Sequence, residues 1–148
     1  MSPQLRDKLF WDLSIRLSCG VMVEYRNKAY ELLEIGCQYG FTYYYNGITV
    51  TIRNGDEVLT NVPFDEVKPY LYKMYLYDRH RKIMVEDLGL DIRVKSNGEP
   101  YFINTDLDIL SNWKKVIKWL ISHHFDVYGL IDDGIAIQIT DDNNPYKQ

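Results

Sequence analysis

The stretch YGFTYYYNGITVTIRNGDEVLTNVPF, residues 39–64, decides how this chain folds, because it sets two Asn-Gly pairs among aromatic and β-branched residues. Asn46-Gly47 and Asn54-Gly55 are strong hairpin signals, since a type I′ turn needs positive φ at both central positions and these residues adopt it at low steric cost. Tyr43, Tyr45, Ile48, Val50 and Ile52 flank the first pair with side chains that suit a pleated, half-buried surface. Just upstream, VMVEYRNKAYELLEI (21–35) breaks at Arg26-Asn27-Lys28 between two apolar runs, which reads as another hairpin. Residues 21–64 therefore read as four or five short antiparallel strands. So few strands hide their edges by curling, and the expectation is a small SH3-like barrel or curled sheet. Pro63 and Pro69 bracket FDEVK, a short helical turn expected to end the barrel.

Working outward, QLRDKLFWDLSIRL (4–17) places Leu5, Leu9, Phe10, Leu13 and Leu17 at helical spacing, an amphipathic N-terminal helix with Gly20 as its left-handed stop. On the other side, KIMVEDLGLDIRV (82–94) reads as one or two strands, and VKSNGEPYFI (94–103) carries a third Asn-Gly at Asn97-Gly98, an additional hairpin. Thr105-Asp106-Leu107-Asp108 then opens a helix, with acidic residues where the helix dipole favours them. Leu107, Leu110, Trp113, Ile117, Leu120 and His124 carry its apolar stripe, so a long C-terminal helix is expected over 107–125. GIAIQIT (134–140) alternates as a final strand. The fold class is α+β, expected as one domain over 1–148 with subdomains divided at 78/79.

Apolar residues make up 46% of the 148 and charged residues 26%, the balance of a globular chain with a real core. Order is expected to fail only in the first three residues and in the last stretch, DDNNPYKQ (141–148). No apolar run approaches the roughly 18 residues that a membrane span needs, and MSPQLRDKLFWDL lacks a signal peptide's uninterrupted apolar core. A cytoplasmic setting without membrane contact follows as an expectation. Cys19 and Cys37 match no metal-ligand spacing and are expected to be free thiols. The formal charge of −4 is unevenly placed. Residues 126–148 hold five Asp and one Lys, whereas Lys68, Lys73, Arg79, Arg81 and Lys82 face only Asp78 across 68–82. That balance does not favour a nucleic-acid partner, whose affinity rests on neutralised phosphates.

The candidates for chemistry cluster in WLISHHFDVYGLIDDGIAI (119–137). His123, His124 and Asp126 could serve a hydrolase or a metal-dependent enzyme. Adjacent histidines on a helix project about 100° apart, however, unlike the i, i+4 pair that grips one metal. The structural alternative has His124 continuing the apolar stripe, His123 on the flank one turn after Trp119, and both at the negative end of the helix. Asp132-Asp133-Gly134 reads as a turn. No G-x-S-x-G, P-loop or G-x-G-x-x-G occurs. No cofactor is expected, and no metal in the favoured reading.

Tyrosine is the distinctive residue. Eight of the thirteen fall between 39 and 77. Tyr43 and Tyr45 point to one face of a strand and Tyr44 to the other, so they cannot all be core. With Tyr70, Tyr72, Lys73, Tyr75 and Tyr77 they make a candidate surface for an unidentified protein partner, because Tyr buries large area at small entropic loss. Aromatic residues interleaved with basic ones also suit single-stranded nucleic acid, the alternative reading.

Three stretches resemble a family of small uncharacterised proteins found in gut bacteria of the Bacteroides group and in their phages. DLSIRLSCGVMVEY (12–25) is similar to its D-L-x-x-R-L-x-x-G-V start, and PFDEVKPYLYKM (63–74) to its D-E-V-x-P-Y-L-R-P-M segment. IKWLISHHFDVYGLIDDGIAI (117–137) is similar to its W-L-x-x-H-H-F-D-x-x-G-L-I close. Together these cover about a third of the chain. Tyr72-Lys73 stand where the family has Arg-Pro, and YLYDRHRKIMVEDLGLDIRV (75–94) replaces its acidic helical stretch. The family carries no assigned activity, so the resemblance implies a phage-associated or mobile-element accessory protein and no mechanism.

Overall fold

The computed structural model describes residues 1–37, 47–73, 78–89, 92–97, 100–102 and 109–146. They form an α+β protein whose chain divides into two compact units, one of residues 1–71 with 128–148, the other of 72–127. The first unit is built from both ends of the chain, so the division does not follow a single cut at 78/79.

In the first unit, α1 (Pro3–Arg16) starts with Pro3 in its first turn and Ser2 as N-cap, the Ser2 hydroxyl accepting from Leu5 N at 3.2 Å. The first residues are thus ordered by a cap, contrary to the expectation of disorder there. The helix tightens into a 3₁₀ turn, Leu17–Cys19, stopped by Gly20 at φ 69°. Leu9 and Leu13 are fully buried, and Asp12 and Arg16 share that inward face. The two charges pair at 2.9 Å with no side-chain exposure.

Among the described residues, five antiparallel strands and one short parallel strand make the sheet: β1 (Met22–Tyr25), β2 (Lys28–Cys37), β3 (Ile48–Asn54), β4 (Glu57–Pro63), β5 (Lys68–Leu71) and β8 (Ile137–Gln138), in the order β4-β3-β2-β1-β5-β8. The β1–β2 loop is Arg26-Asn27, both at positive φ (49° and 63°), which is the I′ pattern. The β3–β4 loop is Gly55-Asp56, flanked by the Asn54–Glu57 pair, with Gly55 at φ 60°. The turn therefore sits one residue later than Asn54-Gly55 suggests, in the II′ arrangement that places Gly first. The expected turn at Asn46-Gly47 lies largely outside the described residues, though Gly47 has φ 85°.

The sheet is mixed and open, so of the expected antiparallel SH3-like barrel or curled sheet the closed barrel is corrected, and one of its pairings is parallel. Its edges are blunted instead of joined. At one edge, β4 carries a bulge opposite Val50–Ile52, with Asn61 at φ 56° and Pro63 at its end; at the other, β8 is two residues long. Bulges, proline and brevity all discourage further pairing. The 3₁₀ turn Phe64–Glu66 falls between the prolines as expected, but β5 follows it and pairs with β1, so the turn does not end the sheet. The apolar side chains of β1–β4 meet Leu9, Leu13, Phe64, Val67, Leu130 and Ile135 in one core.

The tail is also ordered. Thr140 N and Oγ1 both donate to Asn143 Oδ1 (2.6 and 3.0 Å), and Asn143 Nδ2 donates to Gln138 O at 3.0 Å. Tyr146 Oη accepts from Met22 N at 2.9 Å and donates to Tyr70 O at 3.0 Å, bridging β1 and β5 just beyond the end of their ladder. Over 141–146 the expected disorder gives way to these side-chain turns, and Lys147 and Gln148 lie outside the described residues. The expected strand over 134–140 shortens to β8, because residues 131–134 form a turn with Gly134 at φ 75°.

In the second unit, α2 (Asp78–Leu88) replaces the strand expected at the start of 82–94. Met84 is fully buried, and Val85 and Leu88 pack on the same cluster; that is a helical spacing, and Gly89 at φ 64° ends the helix. The hairpin around Asn97 is present as β6 (Ile92–Val94) paired with β7 (Pro100–Phe102). The long helix α3 (Ile109–Ser122) buries Val116, Trp119 and Leu120. Its expected opening at Thr105-Asp106-Leu107-Asp108 lies outside the described residues, and it ends before the expected 125.

Candidate functional site

The end of α3 explains where its histidines go. His124 N donates to Ile121 O at 3.1 Å and Phe125 N to Leu120 O at 2.9 Å, with His124 at φ 68°. This bond pair, with a left-handed residue between, is a Schellman C-cap, and His124 occupies the position where Gly is usual. Leu120 and Phe125, the residues that conventionally touch in this motif, are buried in one cluster. The chain then pairs with Tyr72: Tyr72 N donates to His124 O at 2.7 Å and Asp126 N to Tyr72 O at 2.9 Å. Asp126 is buried, and its backbone belongs to this bridge.

All three histidines of the chain line a depression of about 230 Å³ in this unit, with Tyr72, Trp119 and Phe125. His80, on α2, meets Phe125 edge-on at 5.1 Å between ring centroids and lies 5.9 Å from Tyr72. His123 stacks on Trp119 at 3.9 Å and 18°. Asp87 accepts from Trp119 Nε1 at 2.8 Å, and its Oδ2 is 4.0 Å from His123 Nε2. An Asp, a His and a Ser thus stand in a row, because Ser122 Oγ is 3.1 Å from His123 Nδ1.

In the tautomer with the proton on His123 Nδ1, the row does not work as a nucleophile and its base. Ser122 Oγ donates to Trp119 O at 2.8 Å, and His123 Nδ1 lies 2.9 Å from the same oxygen. A carbonyl cannot donate, so the second contact is a hydrogen bond only when Nδ1 carries the proton. A protonated Nδ1 cannot take a proton from Ser122, as a general base must. Both polar groups close the helix end, supplementing the His123 N bond to Trp119 O at 3.0 Å. Only the His123 imidazole stacks on Trp119, while the His124 backbone makes the left-handed turn. Among the described residues no three His, Cys, Asp or Glu side chains converge as metal ligands.

The tyrosine candidates fare unequally. Tyr70 is buried, 8% exposed, and burial reinforced by the Glu24 charge holds its phenol above the ordinary value. It has little surface to offer a partner. Tyr72 is half-buried against His80 and Phe125, and Lys73 is exposed. Tyr43, Tyr44, Tyr45, Tyr75 and Tyr77 lie outside the described residues. Asp132-Asp133-Gly134 is a turn, with Asp133 paired to Lys8 of α1. Cys19 is a free, half-buried thiol.

Sequence reasoning missed two features. Asp87 reaches Trp119 across 32 residues, and nothing in either neighbourhood announces the pairing. Trp11 was legible: it falls off the Leu5–Leu9–Leu13 stripe, and it is 61% exposed on the outer face of α1 with Ile15, 37% exposed, one turn on. No helix among the described residues is long and apolar enough to cross a membrane. No family model matches the chain, nor does any curated protein or solved structure.

Proposed function

We propose that the protein is a non-enzymatic binding module, an accessory protein that recognises another protein through aromatic and apolar side chains left on its surface. The observation that carries this reading is the outward face of α1, where Trp11 and Ile15 stand exposed while Leu9 and Leu13 supply the core. Trp concentrates binding energy at protein interfaces. Half-buried Tyr72 and exposed Lys73 keep a place in the proposal as a second contact region, in the other unit. The engagement of Ser122 and His123 with Trp119 O favours binding over hydrolysis. The resemblance to the phage-associated family supports an accessory role in a cytoplasmic setting.

The test pairs capture with stability. Trp11→Ala combined with Ile15→Ala removes only exposed groups, so folding stability should stay within about 0.5 kcal/mol of the parent. Specific capture of a partner from native cytoplasm should fall to background, while a Lys115→Ala control retains it. Undiminished capture of the same partner by the double variant would remove α1 from the proposal.

A further inference from the structure

We draw no further inference here: the strongest candidate, the depression in the second unit walled by Tyr72, His80, Trp119, His123 and Phe125, belongs to the site already described, and nothing in the structure shows what would occupy it.

Discussion

At the scale of single residues, Asp12 and Arg16 are the sharpest case of a charge placed by its neighbours. They sit four residues apart on a helix face that also carries Leu9 and Leu13, so burying the leucines buries the ions. Removing either partner takes this ion pair from the other inside a buried site, and Asp12→Ala or Arg16→Ala should cost about 3–5 kcal/mol. Replacing both with apolar residues of similar volume, Asp12→Leu with Arg16→Met, should cost far less than either single change. Urea unfolding of the three variants checks this; a double variant as unstable as the sum of the singles would mean that the two charges act independently and would contradict the coupling. His124 offers a cleaner comparison. His124→Gly and His124→Ala both delete the imidazole, but only Ala keeps a Cβ at φ 68°. The Gly form should be more stable by about 1 kcal/mol, the cost of a left-handed non-glycine residue. Equal stability of the two forms would contradict the Schellman assignment.

At the scale of elements, the β1–β2 and β3–β4 hairpins are tied by one cluster of exposed Lys28 and Glu57 with buried Tyr30. Lys28 Nζ donates to Glu57 Oε2 at 2.7 Å, and Tyr30 Oη to Glu57 Oε1 at 3.2 Å. The Lys28 hydrogen bond pulls the Glu57 carboxyl below its ordinary value, and the Glu57 hydrogen bond pushes Lys28 above its own. Burial of the ring, helped by the bond to Glu57, raises Tyr30. The signs define a window. The stabilisation from Glu57 is complete above the ordinary 4.5 and is lost as pH falls through its lowered value. The Lys28 part is complete below the ordinary 10.5 and is lost as pH rises through its raised value. Glu57→Gln should therefore flatten the acid limb of the thermal midpoint against pH, by a small amount since both charges are solvated and screened. A curve parallel to that of the parent from pH 2 to 7 would show that the bridge is idle.

The elements also show what could be read in advance. Polar Arg26-Asn27 between apolar runs marked a hairpin, and the Leu5–Leu9–Leu13 spacing marked α1, because turn chemistry and helical period are local properties. The segment 82–94 misled because Ile83, Met84, Val85 and Leu88 form a short apolar run, which strand and helix accommodate equally. Burial of Met84, with Val85 and Leu88 against the same cluster, decided for the helix. The barrel expectation failed for a different reason. Whether a sheet closes depends on how its edges end, and the β4 bulge with Asn61 at φ 56° arises only once β3 is alongside.

At the scale of the whole molecule, the chain leaves the first unit after Leu71 and returns to it at Tyr128. The returning segment places Ile137 beside Tyr70 and Gln138 beside Leu71, then sets the Tyr146 hydroxyl between Met22 N and Tyr70 O. One phenol thus serves one donor and one acceptor of the backbone. Tyr146→Phe leaves both to find other partners, and should destabilise the first unit by about 1–2 kcal/mol. Hydrogen exchange locates the effect: the Met22 amide should exchange faster in the variant while amides of α3 keep their rates. Unchanged Met22 protection would show that the tail contact contributes nothing.

What the sequence determined by itself is whatever depends on neighbours within a turn or two. The α+β class, the N-terminal amphipathic helix and the hairpins at Arg26-Asn27 and around Asn97 follow from spacing and turn residues, whereas the stripe expected on α3 does not hold, since Ile117 is exposed, Val116 and Trp119 are buried and His124 lies beyond the helix. Tertiary structure decided the rest: the open sheet, the return of the C-terminal segment to the first unit, the approach of Asp87 to Trp119, and the meeting of His80 with the end of α3. These join residues tens of positions apart. Their energies come from burial and from hydrogen bonds that exist only after the chain has closed the loop between them, so no local pattern encodes them.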